Sequence, residues 1–72
     1  ERLVGLPGVA VEPLTPSGYV RVRGELWRAE AVPSEVEIRP GQTIVVYAVR
    51  GMILVVRDEA GKSPDGSIDQ PG

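Results

Sequence analysis

From Gly18 to Ala31 the chain alternates with a period of two, and the alternation breaks only at Gly24. Val20 and Val22 share one face of an extended run, with Tyr19, Arg21 and Arg23 on the other. Past Gly24, Trp27, Ala29 and Ala31 face one way and Leu26, Arg28 and Glu30 the other. This period belongs to strands, whose successive side chains point to opposite faces, and not to helices. The stretch therefore predicts a long, half-buried hairpin-like unit. Glycine at the join suits either a tight hairpin or a bulge, because it tolerates positive φ. The unit also holds the only tryptophan of the chain.

The rest of the chain repeats this punctuation. Gly8 to Leu14 predicts a first strand, with Val9 and Val11 on one side and Ala10 and Glu12 on the other. Pro13 lacks a donor, so that strand ends there or lies at an edge. Thr15-Pro16-Ser17-Gly18 is a turn. Tyr19 to Arg23 is the second strand and Glu25 to Val32 the third. Pro33-Ser34-Glu35 is either a loop or a single helical turn, with Ser34 as cap and Glu37 completing a capping box. Pro40-Gly41 is a turn signal. Gln42 to Val49 is a fourth strand, apolar on both faces, which implies burial from two sides or a bend that exchanges faces. The pattern leaves open whether Ile44 or Val45 points inward. Arg50-Gly51 connects it to a fifth strand, Met52 to Arg57. β-Branched residues dominate both runs.

The chain has 72 residues and contains no Cys and no His, which excludes disulfides and ordinary zinc sites. Stability must come from a packed apolar core. Five short strands separated by turn signals predict an all-β fold. A small Greek-key barrel of the oligonucleotide/oligosaccharide-binding (OB) type closes off most edges at this strand count. An SH3-like barrel is the main rival. Residues 1–57 form this barrel domain and carry seven Arg against six Glu. Residues 58–72, with Asp58, Glu59, Asp65 and Asp69 against Lys62, read as a flexible, disordered acidic tail. No apolar run approaches the ~20 residues of a membrane span, so this chain is not expected to insert directly into a membrane. It starts at Glu1 without Met, as a piece processed or cut from a longer polypeptide would.

Catalysis has little to work with. No glycine-rich phosphate loop leads into a helix. Ser17, Ser34, Ser63 and Ser67 fall in turns or the tail, and the only lysine is Lys62, so a Ser–Lys dyad would need the tail to fold back. Glu25, Glu30, Glu35 and Glu37 have the chemistry for acid–base work, but read more simply as solvated strand faces and a loop. Neither a catalytic residue, a cofactor nor a metal is expected, and the chain is not expected to be an enzyme.

Binding remains. Tyr19, Arg21, Arg23 and Arg28 lie on neighbouring strands, on the face that OB barrels use for single-stranded nucleic acids or oligosaccharides. The chain has no Phe, and Glu25 and Glu30 dilute the arginine charge, so nucleic acid is the weaker reading. The same residues can solubilise an exposed sheet or dock an acidic protein surface. Exposure of Val45, Tyr47 and Val49 together would mark a second apolar patch, for a partner or for self-association. The candidate partner surface is thus Tyr19, Arg21, Arg23, Arg28 and Tyr47. Trp27 is either a core plug against Val20, Val22, Ile44 and Leu54, or an exposed anchor. Its small neighbours Ala29 and Ala31 favour the core.

Gly18-x-Val20-x-Val22-x-Gly24-x-x-Trp27-x-Ala29, then Ile38-x-x-Gly41-x-x-Ile44-x-Val46-x-x-Val49-x-Gly51-x-x-Leu54-x-Val56, resembles the C-terminal soluble domain of NfeD proteins, the partners encoded beside stomatin-like (slipin) proteins in bacteria and archaea. Gly5-x-x-Gly8-x-Ala10 and Leu14-x-Pro16-x-Gly18 fit its opening, so the likeness covers residues 5–56. The resemblance implies an OB-like barrel and a membrane-anchored parent with transmembrane helices before Glu1. It implies a soluble domain, with the cytoplasmic side favoured, that binds or scaffolds a stomatin-like partner. Long family members also carry a ClpP-like serine protease domain, which this chain lacks. The position after Trp27 is often acidic in the family and is Arg28 here, so charge complementarity on that face differs in this member.

Overall fold

The computed structural model describes residues 2–59. The predicted tail lies, from residue 60 onward, outside the described residues. Five strands form, and no helix forms among the described residues: β1 (Pro7–Ala10), β2 (Ser17–Val22), β3 (Glu25–Ala31), β4 (Thr43–Arg50) and β5 (Ile53–Asp58). They close into a barrel in the order β1-β2-β3-β5-β4. Every neighbouring pair is antiparallel except β3 and β5, which run parallel from Arg28↔Ile53 to Ala31↔Val56. This is the OB-like barrel that the strand count predicts.

The hairpin unit forms as its alternation requires. β2 and β3 pair from Ser17↔Glu30 to Val22↔Glu25, leaving Arg23-Gly24 as the loop. Both loop residues have positive φ, 55° at Arg23 and 80° at Gly24, the signs of a type I′ turn, whose twist matches that of the flanking strands. Arginine at such an angle costs roughly 1–2 kcal/mol relative to its usual conformations, which the long register on either side outweighs. The β4–β5 loop is Gly51-Met52, between the paired Arg50 and Ile53. Here the glycine takes the positive φ, 63°.

The barrel interior is lined by Ala10, Val20, Val22, Ala29, Ala31, Ile44, Val46, Leu54 and Val56, one set from each strand. Ile44, not Val45, points inward. A bulge between Val46 and Ala48 accounts for the two-sided apolar pattern of β4 by shifting its register against β5. Small residues at Ala10, Ala29 and Ala31 leave room that two loop residues fill. Leu14 and Ile38 are both fully buried and form an isolated bridge. The Leu14 amide donates to the Ile38 carbonyl at 2.9 Å and the Ile38 amide to the Leu14 carbonyl at 3.4 Å. At the opposite end the N-terminal arm folds in. Gly5 N–H donates to Val46 O at 2.8 Å and Val46 N–H to Leu6 O at 2.9 Å, setting Leu3 and Leu6 against the core.

Two expectations change. The first strand does not extend to Leu14: β1 ends at Ala10, and the chain bends so that Leu14 can turn into the barrel instead of continuing the ladder. Pro13, without a donor, suits the bend. The segment at Pro33–Glu37 is a loop with a single turn bond, Val36 N–H to Pro33 O at 3.1 Å, and not a helix.

Leu14→Ala is expected to lower the unfolding free energy by ~2–5 kcal/mol in urea titrations, the usual cost of a large-to-small change in a core. A Cβ added at Gly18 would sit 2.5 Å from Leu14 Cδ2 and 2.7 Å from Pro13 O. Gly18→Ala is therefore expected to cost about 1–3 kcal/mol by overpacking. The double variant should lose less than the sum, because the shortened Leu14 side chain no longer meets the new methyl.

Candidate functional site

The register fixes which side chains share the outside of the barrel. Across β2 and β3 the outward pairs are Arg21↔Leu26, Tyr19↔Arg28 and Ser17↔Glu30. Arg28 and Glu30 align with Ile53 and Val55 of β5, and Val55 with Ala48 of β4. One outer face thus runs continuously over β2, β3, β5 and β4. Two arginine–tyrosine stacks occupy it. The Arg28 guanidinium lies 5.9 Å from the Tyr19 ring centroid, and that of Arg57 lies 4.9 Å from the Tyr47 ring centroid. Such cation–π contacts contribute ~0.5–1 kcal/mol at exposed sites. They also draw both guanidinium groups toward the rings, Arg57 more closely than Arg28.

Between the stacks, Arg50 Nη2 meets Glu30 Oε1 at 2.5 Å. Arg50 is paired with Ile53 and Glu30 with Val55, so this ion pair crosses β5 diagonally. It shields the outward Val55, which is only 8% exposed. The two side chains are 66% and 36% exposed, so their attraction is largely screened by water.

Of the residues singled out in the sequence, Tyr19, Arg21 and Arg28 come together on the β2–β3 part of this face. Arg23 occupies the β2–β3 turn at one end of the barrel. Tyr47, 57% exposed, reaches the same face from β4, with β5 between it and β3. Val45, Tyr47 and Val49 do not form one patch. Val49 pairs with the inward Leu54 and still stands 45% exposed near the end of β4, whereas Val45 pairs with the outward Arg57 and is half-buried. Arg57 and the Glu30–Arg50 pair escape sequence reasoning. Extending the hairpin register from Arg50↔Ile53 without a bulge would set Tyr47 against the buried Val56, facing inward, and no residue in β4 announces the bulge.

Trp27 is neither a full core plug nor a free anchor. It is half-buried toward the β2–β3 turn end, on the inward side of β3 across from Val20, and packs against the core cluster at the end away from Leu14 and Ile38. Its Nε1 is buried without a hydrogen-bond partner. Its ring separates two shallow clefts. One is lined by Leu3, Val22, Arg23 and Glu25, and the other by Glu25, Leu26, Arg28 and Met52. Glu25 and Glu30 lie on β3, and Glu35 and Glu37 lie on the long β3–β4 loop. Among the described residues no group of three or more His, Cys, Asp or Glu gathers as a metal site would require. Lys62, Ser63 and Ser67 lie outside the described residues.

A family model described as the NfeD-like C-terminal, partner-binding domain matches residues 1–57. Among curated proteins, the membrane-bound protease PH1510 of Pyrococcus horikoshii is 38% identical over 65 residues, which is 86% of this chain and 14% of that protein. The uncharacterized protein MJ0826 of Methanocaldococcus jannaschii is 30% identical over 64 residues, 86% of this chain and 44% of that protein. The chain thus spans about one seventh of the length of the first of these curated relatives and less than half of the second. Among solved structures, the C-terminal domain of stomatin operon partner protein 1510-C from Pyrococcus horikoshii superposes with a TM-score of 0.75 at 38% identity, covering 79% of this chain and 88% of that one. The soluble domain of a membrane protein implicated in regulation of membrane protease activity, from Corynebacterium glutamicum, also superposes with a TM-score of 0.75, at 28% identity, covering 79% and 92%.

In a double-mutant cycle of Arg50→Gln and Glu30→Gln followed by chemical denaturation, the coupling energy is expected to stay below about 1 kcal/mol and to shrink with added salt. A larger, salt-insensitive coupling would mean that the pair is held in a much drier setting than its exposure indicates.

Proposed function

The chain belongs to the family of NfeD-like C-terminal, partner-binding domains, and from that premise we propose that it is a non-catalytic docking domain of a membrane-anchored protein, binding a stomatin-like partner through its outer β2–β3–β5–β4 face. The observation that carries this reading is the pair of arginine–tyrosine stacks, Tyr19 with Arg28 and Tyr47 with Arg57, set on one continuous side of a rigid barrel. Tyrosine and arginine are the residue types that anchor protein interfaces, because each combines a large apolar body with a directed polar group. Here they are held in place before binding, so less side-chain freedom is lost on association. The names carried by the relatives support the class of partner and of parent. One is a stomatin operon partner protein, one a membrane-bound protease and one the soluble domain of a membrane protein. Protease activity in such a parent would come from outside the barrel, whose family is described by partner binding.

The test is an amide NMR titration of this chain with the soluble core of a stomatin-like protein. Chemical-shift changes are expected along Tyr19–Arg28 and at Tyr47 and Arg57. Tyr47→Ala and Arg57→Ala should each weaken binding about tenfold or more, as buried anchors do. Arg39→Gln, on the loop before β4, should change affinity little. Short single-stranded DNA should give only shifts that vanish at moderate salt. Silence toward the partner, or DNA shifts that survive salt, would overturn the reading.

A further inference from the structure

The two ends of the barrel carry opposite charge. β3 and β5 run parallel and start side by side, so the β2–β3 turn at Arg23-Gly24 and the β4–β5 turn at Gly51-Met52 lie at the same end. The N-terminal arm joins them there, since Leu3 shares a cleft with Arg23 and Trp27. Among the described residues, Arg2, Arg21, Arg23, Arg28 and Arg50 are exposed toward this end, against Glu25 and the Glu30 carboxylate that pairs with Arg50. The opposite end, made by the two long loops and the finish of β5, holds Glu12, Glu35, Glu37, Asp58 and Glu59 against Arg39 and Arg57. The basic end also carries bare apolar tips. Met52 is 82% exposed and Leu26 54%, the two flank Trp27 in one cleft, and Val4 is exposed on the arm.

We propose that this basic, apolar-tipped end rests on an anionic lipid surface, with Leu26 and Met52 dipping into the headgroup zone and the surrounding arginines meeting lipid phosphates. Apolar tips ringed by arginine are the composition of interfacial membrane contact, in which the long side chains keep their charge in the polar layer while their stems lie along apolar surface. Each basic residue near an anionic leaflet raises binding about fivefold. The acidic end is repelled by the same surface, so the asymmetry selects a single orientation. A second copy docked head to tail would also satisfy the charges. The membrane is favoured because the arm by which the barrel continues toward its chain start leaves from the basic end. This last step rests on the membrane-anchored parent proposed above. In that orientation the membrane covers the Arg21, Leu26 and Arg28 margin of the outer face, and the part around Tyr47 and Arg57 stays open to a partner.

The formal net charge of the whole chain is −2, so uniform electrostatics would keep it off anionic vesicles. The experiment is co-sedimentation of the 72-residue chain with vesicles of pure phosphatidylcholine and with vesicles of equal parts phosphatidylcholine and phosphatidylglycerol. The emission of Trp27 reports the approach of lipid to that end. Binding is expected only with phosphatidylglycerol, falling steeply with salt and accompanied by a blue shift. Arg2→Gln should weaken it about fivefold. Leu26→Ser combined with Met52→Ser should weaken it about tenfold, with an otherwise unchanged amide spectrum to show that the barrel is intact. Glu35→Gln, at the far end, should not weaken it. The proposal is overturned if no vesicle enriches the chain, if the Leu26/Met52 variant binds undiminished, or if the chain instead self-associates in a salt-sensitive way. These readings contain no partner protein, so their failure is separate from failure of the partner titration.

Discussion

The barrel depends on two residues that belong to none of its strands. Its wall supplies mostly Val and Ala, and with Ala10, Ala29 and Ala31 facing inward the strands alone would enclose unfilled space. Leu14 and Ile38 fill that space from the loops before β2 and before β4. Each pairs its backbone with the other, so the two buried side chains enter with their polar groups already satisfied. Interiors pack at crystal-like density, and a gap of even a methyl group is felt. Both long loops are thereby tied to the core, and the charged end that they form has a fixed shape although it contains no regular structure.

The outer face depends in a similar way on one irregularity. The bulge between Val46 and Ala48 moves the remainder of β4 by one residue against β5. That shift brings Tyr47 outward and beside Arg57. A strand of unbroken register would have directed the ring into a core with no room for it. Bulges recur where a sheet must re-aim a side chain, and here the re-aimed side chain completes the second arginine–tyrosine stack. The ion pair of Arg50 and Glu30 has a different role: it covers the apolar surface of β5 between the stacks.

The β2–β3 unit was legible because its two runs alternate strictly and meet at glycine, and the structure realises both the register and the buried face. The all-β class and the barrel followed from strand count and turn residues. The end of β1 was not legible, since Val9 to Leu14 continues to look like a strand and only the demand of the core for Leu14 bends it away. Trp27 lies on the side that its alternation assigns, across from Val20, but is only half-buried because it sits toward the end of the barrel, a position that alternation does not reveal. Alternation along β4 groups Tyr47 with Val45 and Val49, but its companion Arg57 is hidden by the bulge. What local pattern determines was readable. What depended on which distant side chain claims a volume was not.

Closure of the sheet has a consequence for how any macromolecule must recognise this domain. With β1 joined to both β2 and β4, and β5 to both β3 and β4, no strand is left with a full-length free row of amides and carbonyls; the stretches paired on one side only, such as 25–27 of β3 and 47–50 of β4, are short. A partner therefore finds no long edge on which to add a strand of its own, the route by which many small β-domains capture extended peptides through backbone bonds that ignore sequence. Recognition here has to be spelled out in side chains. Variation at a few outward positions can then redirect the domain to a new partner without disturbing the fold that carries them.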